Sequence, residues 1–490
     1  MKLLYNVAKP VFLEVKTMND KMKELYSQIE SAVKSDYAFE NPVNLKDYAH
    51  LVRKASADIS TPDGTITREM SIWSDAIEAA FADSPCLYIP KMDNTVFIDR
   101  PIVMHSGYKL KADPEQRICS VPNMGQSLVI SDNILDGAFR EVHLDNPTCD
   151  IAVEGGIWDA LGYTPTMLNG NSRLQANIQN PMRGSFGMMI FSNVRDVIVK
   201  GTTPANAISY GVQICNCEGF YIEDIHFTNY HKDGIHVNGH VKNGIIRNLT
   251  GEDMGDDMVA LNAWDWYRSA LTYGNIENLI VENLKSKHNE CRLLPGRKVY
   301  DDGSSNECAI RNCILRNIEG VYTFKLYGQP LYHDPDSDFS PIPGVIENVY
   351  FENISFPEMA SSGVAGISVN ALFDICADTQ NLHFENIKIL STADEFKAKG
   401  RPMIKVGPLS ETYTFGSDDP KDWKELFYPN HINTTKDTYI NNVEFADRKA
   451  TADDMDMIMR AIKLTVNDDY PNTKPKGGTG YGIIENVNFC

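Results

Sequence analysis

The 490-residue chain has few basic side chains for its size: 46 lysines and arginines stand against 66 aspartates and glutamates, a formal net charge of −20. Nucleic acid and anionic membrane surfaces repel a chain this acidic, so we expect neither as a partner. The sequence also contains no uninterrupted apolar run of about 18 residues, which excludes a membrane-spanning helix. Polar residues from Asn6 onward interrupt the apolar start too early for a signal peptide, and we therefore expect a cytoplasmic protein.

The ten cysteines include no CxxC pair of the kind that binds zinc. Because no secretion signal is seen, we expect buried free thiols rather than disulfides. Residues 333–338 (HDPDSD) are superficially similar to a calcium loop, but the sixth-position glycine and the closing glutamate of an EF-hand are missing. The sequence therefore predicts neither a metal site nor a cofactor.

What the chain does contain is a recurring short motif, an asparagine or aspartate flanked by aliphatic residues that alternate with polar ones. Each copy has the pattern of a short strand bounded by turn residues. The step between copies is 24 residues from Asp224 to Asn248 and 33 residues from Asn353 to Asn386, and a constant strand with variable insertions is typical of a solenoid. The copies fall at 193–199, 221–227, 244–249, 276–284, 310–315, 349–354, 382–387, 439–445 and 484–489.

The repeated asparagines suit the left-handed backbone of a tight turn, and amides stacked along the axis can hydrogen-bond to one another. An antiparallel sandwich of similar strands is the alternative, but Asn-Gly hairpin turns between the strands are too few for it. We therefore predict an all-β fold, a right-handed parallel β-helix with a helical segment at the amino terminus and irregular loop insertions.

Outside the repeat, apolar residues between Met18 and Val33 recur with a helical period, and Ile72–Phe81 has the pattern of a second helix. We expect the first helix to pack on the body or to cap it, and it could also mediate a homo-oligomer. The predicted organisation is an amino-terminal helical arm or cap over 1–68, a β-helix catalytic domain over 69–390, and an insertion with a carboxy-terminal cap and the last coil over 391–490.

Three carboxylates are separated by about one coil of the repeat. Asp233 precedes the adjacent pair Asp256 and Asp257 by 23 and 24 residues, and stacked strands lie about 4.8 Å apart. Neighbouring strand residues face opposite sides, so both members of the pair reach one surface only if the chain bends near Gly255. Glycoside hydrolysis needs such a set, with one acid for the leaving oxygen and one carboxylate for water or for attack. Like charges this close should raise one pKa, whereas an isolated Gly-Asp-Asp would be an ordinary turn.

Several motifs in this repeat resemble those of polygalacturonases, the family 28 glycoside hydrolases, and of their pectin-lyase-like relatives. The resemblance extends from about Ile72 to Phe356. It rests on an entry helix and first strand, a glycine-rich coil and two catalytic motifs, which are Trp73–Ala80 with Leu87–Pro90, Val153–Asp159, Asp233–Val237 and Gly255–Asp257. The resemblance implies that Asp256 is the general acid, while Asp233 and Asp257 hold and deprotonate the attacking water, with inversion of the anomeric centre.

The sugar-binding motifs of that family are only partly matched. His231-Lys232 stands where the family has Asn-Thr, and the family's Gly-His-Gly is missing, with Arg292 as the best-placed substitute. Thr323-Phe324-Lys325 resembles the family's Arg-x-Lys but keeps only the lysine. By this resemblance Arg292 and Lys325 would bind a substrate carboxylate, a role that suits arginine. A neutral sugar such as galactose or rhamnose is the alternative.

Three further residues are candidates for contact with the sugar. His236 lies between two apolar strand residues and would either bind the sugar or be an ordinary exposed strand residue. Trp264 and Trp266 follow the catalytic coil, and their rings would either form a stacking wall for the sugar or pack within the loop.

The predicted function is that of an inverting glycoside hydrolase acting on α-linked galacturonide-type or related bonds in oligosaccharides. Short substrates are expected because polymers do not enter cells. Exo action is expected because insertions over 264–275, 296–308 and 328–344 could close one end of the cleft. Two other classes stay open: a polysaccharide lyase, which would abstract a proton with lysine or arginine, and a non-catalytic carbohydrate-binding β-helix.

Overall fold

Two compact units make up the chain. An amino-terminal unit consists mainly of Ile29–Ala260, and a carboxy-terminal unit consists mainly of Gly274–Cys490 with Leu261–Tyr267 and the chain up to Gln28. This division falls inside the predicted catalytic domain, and the three-segment organisation stays a prediction. The computed structural model describes residues 14–490 except 62–63, 123, 125–126, 135–143, 145, 161–186, 208–209, 231, 255, 265–271, 300–303, 328–343, 358–370, 409, 414–423, 428–431, 467–472 and 475–477.

The two helices predicted from periodicity are present. The first is α1, Glu14–Ala32, and the second is α2, Ser74–Asp83. The second helix begins later than predicted because Ile72 still pairs in parallel with Phe97. The other described helical segments are α3 (Ala393–Ala398), α4 (Met455–Ile458) and 3-10 turns at Leu45–Leu51, Asp132–Ile134 and Ala452–Asp454. None of the described helices is long and apolar enough to cross a membrane.

The remaining regular structure is β-strand, which confirms the all-β class. The first strands are β1 Val43–Asn44, β2 Arg53–Thr61, β3 Gly64–Ile72, β4 Cys86–Ile89, β5 Val96–Ile98, β6 Ile102–Met104, β7 Lys109–Ala112, β8 Arg117–Ser120, β9 Val129–Ser131, β10 Thr148–Glu154, β11 Ile157–Asp159, β12 Met189–Lys200, β13 Thr203–Ala205, β14 Val212–Tyr230 and β15 Ile235–Met254. They are followed by β16 Asp257–Asn262, β17 Ile276–Leu294, β18 Gly296–Val299, β19 Ser305–Cys308, β20 Ile310–Tyr327, β21 Val345–Phe356, β22 Phe373–Cys376, β23 Asp378–Ile389, β24 Ile404–Val406, β25 Ser410–Tyr413, β26 Lys424–Phe427, β27 Ile432–Glu444, β28 Met459–Ala461, β29 Lys463–Val466, β30 Thr473–Lys474 and β31 Gly478–Phe489.

Most strands within each unit pair in parallel with a strand one repeat further along the chain. In the amino-terminal unit Met189 pairs with Val212, and Val212 pairs with Ile235, so the repeat there is 23 residues. In the carboxy-terminal unit Ile276 pairs with Ile310, a step of 34 residues. The strand motif is thus constant while the connecting segments vary in length, as the spacing of the motif predicts.

The asparagines of the motif lie in left-handed backbone and hydrogen-bond to their counterparts in the next repeat, as predicted. Asn312 has φ 54° and Asn348 has φ 55°. The Nδ2 of Asn312 donates to Oδ1 of Asn278 at 3.0 Å, and the Nδ2 of Asn348 donates to Oδ1 of Asn312 at 2.6 Å. A second ladder in the same unit consists of Asn283, Asn317, Asn353 and Asn386.

Aromatic rings stack in the core of the carboxy-terminal unit. The ring centroids of Phe324 and Phe373 are 5.1 Å apart, as are those of Phe351 and Phe384. All four side chains are buried. Because each partner comes from the next repeat along the chain, the stacked rings bury apolar surface continuously.

The first part of α1 packs on the strands of the carboxy-terminal unit. Met22 is buried against Ile314 and Tyr350, with Leu25 and Tyr26 beside it. The hydroxyl group of Tyr26 also donates to a carboxylate oxygen of Glu282 at 3.1 Å. The expectation that this helix packs on the body is therefore confirmed for this part of it.

Residues 43–72 contain strands that the prediction of a helical arm did not include. Arg53–Thr61 and Gly64–Ile72 form an antiparallel hairpin in which Arg53 pairs with Ile72. The second strand alternates, so that Met70 and Ile72 are buried, and this period of two identifies a strand. In the cysteine set, all ten thiols are free as predicted; eight are buried, one is half-buried and Cys490 is exposed.

Candidate active site

The three predicted carboxylates lie where the chain passes between strands in the amino-terminal unit. Asp233 is in the short turn between β14 and β15, and Asp257 opens β16 one repeat later. The backbone fixes this stacking, because Gly234 N donates to Asp257 O at 2.9 Å and Asp257 N donates to Asp233 Oδ1 at 3.4 Å. Asp256 sits in the bend between β15 and β16. It is therefore outside the regular alternation that would have turned it away from Asp257.

The structure brings one oxygen of each carboxylate within 4.8 Å of the others. The three side chains differ in exposure: Asp256 is 25% exposed, Asp233 is 6% exposed, and Asp257 is fully buried. Only Asp256 is therefore substantially open to solvent. Its Oδ2 also lies 3.4 Å from the ammonium group of Lys232, so the chain itself supplies a positive charge to the cluster. An oxygen-only set is the kind that hard cations prefer, and the expectation of no metal stays a prediction.

His236 is held against Asp233 rather than presented to solvent. Its Nδ1 is 2.6 Å from Asp233 Oδ2, and its Nε2 is 3.1 Å from Asn238 Nδ2. The ring stacks on Tyr210 with a centroid distance of 3.8 Å and an interplanar angle of 8°. Because His236 is 1% exposed, it has no surface for the sugar contact predicted for it.

A buried tyrosine lies close to the same turn. Tyr230 is 1% exposed, and burial followed by the negative charge of Asp233 raises its pKa well above the usual value. Its hydroxyl group has no hydrogen-bond partner within the described part of the chain. A Cβ added to Gly211 would lie 2.9 Å from this hydroxyl and 2.5 Å from the carbonyl oxygen of Gly234, so the turn that carries Asp233 needs glycine at position 211.

The two cations predicted to bind a substrate carboxylate are neighbours in the carboxy-terminal unit. Arg292 of β17 pairs in register with Lys325 of β20. Both contact Oε1 of Glu290: the Arg292 guanidinium group forms an ion pair with it, and the Lys325 ammonium group lies 2.9 Å away. Tyr322 donates to the other oxygen at 3.3 Å. A carboxylate of the chain itself, 5% exposed, thus already binds both cations.

Trp264 packs inside the carboxy-terminal unit. It is 3% exposed, and a Cβ added to Gly296 would lie 2.4 Å from its own Cβ. The ring is therefore part of the loop packing and has no open face for a sugar. Trp266 and the calcium-like segment 333–338 lie outside the described residues.

Sequence reasoning missed Tyr210, Gln213, Asn238 and Glu290. Gln213 pairs in register with His236, so the 23-residue step would have placed these two polar residues side by side on the same face. The signal was therefore present, but it could be used only once the register was known to the residue.

Comparisons with known proteins give distant likenesses. No family model and no curated protein matches the chain. An exopolygalacturonase from Thermotoga maritima is similar over 88% of this chain and 97% of its own, with 13% identity and a TM-score of 0.49. A family 28 exopolygalacturonase from Yersinia enterocolitica covers 88% and 82%, with 13% identity and a TM-score of 0.47. PfbA, a surface adhesin of Streptococcus pneumoniae, covers 92% of both chains, with 13% identity and a TM-score of 0.40. Since these structures include both enzymes and an adhesin, function must be argued from the site.

Proposed function

We propose that the protein is a glycoside hydrolase on a right-handed parallel β-helix, cleaving α-linked galacturonide-type or related bonds in oligosaccharides. The observation that carries this proposal is the cluster of Asp233, Asp256 and Asp257, with an oxygen of each within 4.8 Å of the others and with unequal exposure. Hydrolysis needs one carboxyl group that meets the leaving oxygen and another that acts on water or on the sugar. The unequal surroundings of the three groups can separate these roles.

Asp256 is the proton donor in this proposal because it is the carboxyl group that solvent reaches. Asp233 and Asp257 lie behind it and hold the attacking water. The short separation does not by itself favour inversion, since close carboxyl groups are usual in retaining enzymes; inversion rests on the resemblance of the two aspartate motifs. Exo action and a cytoplasmic location belong to the same proposal.

A neutral sugar is the second candidate substrate, and one observation favours it. Arg292 and Lys325 would bind a uronate carboxylate by the family resemblance, yet both already contact Glu290. Their positive charge is thus balanced within the chain. A neutral α-galactoside or rhamnoside would not need to displace Glu290.

The first prediction concerns Asp256. Replacing it by asparagine removes the proton donor with almost no change of shape, and we expect hydrolysis to fall by about 10²- to 10⁴-fold. The measurement is release of reducing ends from oligogalacturonides, rhamnogalacturonan fragments and neutral α-galactosides. The responsive sugar also decides between the two substrate classes.

Asp224→Asn is the matched control for this experiment. Asp224 accepts from Asn248 at 2.9 Å in a ladder position that asparagine occupies elsewhere in the chain, so the variant should keep full activity. Undiminished hydrolysis by Asp256→Asn would contradict its role as the acid. An unsaturated product that absorbs ultraviolet light would instead support a lyase, and the anomer formed first, followed by proton NMR, tests inversion.

A further inference from the structure

We propose that Gln213 and Asn238 are positioning residues that keep the proton of His236 on Nδ1 and so hold Asp233 as the ionised base of the site. The inference rests on the proposed hydrolase function and assigns the roles of the carboxylates within it. All the residues involved belong to the amino-terminal unit. None of them is part of the motifs that carried the sequence prediction except Asp233 and His236.

The array begins at a group whose direction is certain. The backbone N–H of Gly187 can only donate, and its acceptor is Oε1 of Gln213 at 3.0 Å. If the amide group of Gln213 were rotated by half a turn, two N–H groups would face each other. The Nε2 of Gln213 must therefore be the end that points to Asn238.

The next two bonds follow from the first. Nε2 of Gln213 donates to Oδ1 of Asn238 at 2.9 Å, and the thiol of Cys215 lies 3.6 Å from the same oxygen. Two donors on one side identify that side of Asn238 as the carbonyl. Its Nδ2 is then the atom 3.1 Å from His236 Nε2, and an amide N–H makes this ring nitrogen an acceptor.

His236 consequently carries its proton on the other nitrogen. Nδ1–H donates to Oδ2 of Asp233 at 2.6 Å. An imidazolium would place a second N–H against the amide group of Asn238, which the buried ring, stacked on Tyr210 at 3.8 Å, has no room to avoid. The array therefore selects the neutral Nδ1–H tautomer.

This tautomer determines the state of Asp233. Its Oδ2 accepts from His236 and its Oδ1 accepts from the backbone N–H of Asp257. A protonated carboxyl group would have to give up one of these acceptor positions, so the ionised form is favoured. With Asp233 ionised and buried, the more exposed Asp256 is left as the proton donor.

The direct test reads the proton position in the protein with ¹⁵N-labelled histidine. Two-bond ¹H–¹⁵N correlation spectra distinguish the two tautomers, and the signals of His236 are those missing from His236→Asn. We expect the wild-type protein to show the Nδ1–H tautomer at neutral pH. An Nε2–H tautomer or an imidazolium at neutral pH would overturn the proposal.

Gln213→Glu should reverse the array. Glutamate still accepts from Gly187, but it offers a second oxygen to Asn238, whose amide group must then turn and present its own oxygen to His236. We expect the proton to appear on Nε2 and kcat to fall by about 10²-fold or more, because the base loses its donor, while KM changes little. An unchanged tautomer with an unchanged kcat would contradict the inference, and Gln380→Glu, at an exposed position, is the control.

A pair of substitutions at His236 separates positioning from packing. Asparagine at this position can place its Nδ2–H near the position of Nδ1–H, whereas leucine fills the space without a donor. We expect His236→Asn to keep at least about tenfold more activity than His236→Leu, and equal losses would refute the donor role. The tautomer spectrum needs no substrate, so absence of hydrolysis would defeat the proposed function without deciding the array.

Discussion

Three aspartates with the same side chain have different surroundings in the site. Asp257 is fully enclosed, Asp233 accepts from His236 and from the backbone, and Asp256 faces solvent beside Lys232. Chemistry that needs an acid and a base from identical groups depends on such differences. Here the differences arise from the turn before β15 and the bend before β16, which place each carboxyl group at another depth.

Gly211 offers a test of how tightly the turn of Asp233 is held. Gly211→Ala would place a Cβ 2.5 Å from the carbonyl oxygen of Gly234 and 2.6 Å from the ring of Phe227. Something must shift, at a cost of about 1–3 kcal/mol in the free energy of unfolding. Since the carbonyl that moves adjoins Asp233, we also expect kcat/KM to fall by about 10²-fold. Urea unfolding and initial rates measure the two effects.

The control for Gly211→Ala is Gly201→Ala. Gly201 has φ +57° and nothing within 4 Å of an added Cβ, so alanine there costs about 1 kcal/mol of backbone strain but should leave the rate unchanged. If both variants lose stability and neither loses activity, the turn of Asp233 tolerates displacement and its tight placement does not matter for function.

How far the site could be predicted differs from residue to residue. The position of Asp233 relative to the aspartate pair followed from the step of 23 and 24 residues. The role of His236 could not be derived, because it depends on Gln213 and Asn238. The alternation that relates them is interrupted by a register shift between Cys215 and Cys217. For Arg292 and Lys325, adjacency was foreseeable from their spacing, but contact with Glu290 was not.

The ladders of asparagine are the repeating element of the fold. Asn317 has φ 54°, donates to Asn283 at 2.9 Å and accepts from Asn353 at 3.0 Å. One side chain thus satisfies a backbone conformation that other residues avoid and links three repeats. This explains why the asparagine recurs in the motif while the residues around it vary.

Substitution of Asn317 should separate these two contributions. We expect Asn317→Ala to lower the free energy of unfolding by about 2 kcal/mol, of which about 1 comes from left-handed backbone and about 1 from the ladder bonds. Asn317→Gly should recover the backbone part and lose only about 1 kcal/mol. Urea denaturation followed by circular dichroism measures the difference. Equal losses in both variants would show that left-handed backbone carries no cost here.

Elements were predicted where their periodicity extends over many residues. α1 and the strands of the recurring motif were recognised for that reason, whereas the hairpin of β2 and β3 was not. Its exposed positions are polar and only Met70 and Ile72 mark the buried face. A short strand with one apolar side carries too little pattern to outweigh a neighbouring helix.

At the scale of the whole molecule, stability should depend on a stacked ring in the carboxy-terminal unit. His383 lies between Tyr350 and Tyr439, with centroid distances of 4.3 and 4.7 Å and nearly parallel planes. Burial, and secondly the charge of Lys21, lower the pKa of His383 from 6.5 to about 4. The folded protein therefore resists a protonation that the unfolded chain accepts readily.

The sign of the pH dependence follows from this difference. Because the folded pKa is the lower one, the contribution is fully present above about pH 6.5 and is lost as the pH falls towards 4, up to about 3 kcal/mol. His383→Phe keeps a stacked ring but cannot be protonated. We expect its unfolding midpoint in urea to fall less than that of the wild type between pH 7 and pH 4.5.

His50→Gln is the control for this titration, since His50 is exposed. The variant should follow the wild-type protein at every pH. Identical pH dependence in His383→Phe and in the wild type would mean that other groups account for the acid sensitivity.

The pairing of each strand with the one a single repeat away bears on how the chain is synthesised. Val212 waits only 23 residues for Ile235, and Ile276 waits 34 for Ile310. A segment that leaves the ribosome can therefore dock on the strand made just before it, without any partner from the far end of the chain. Folding within each unit can thus keep pace with translation, and each newly docked strand is the template for the next.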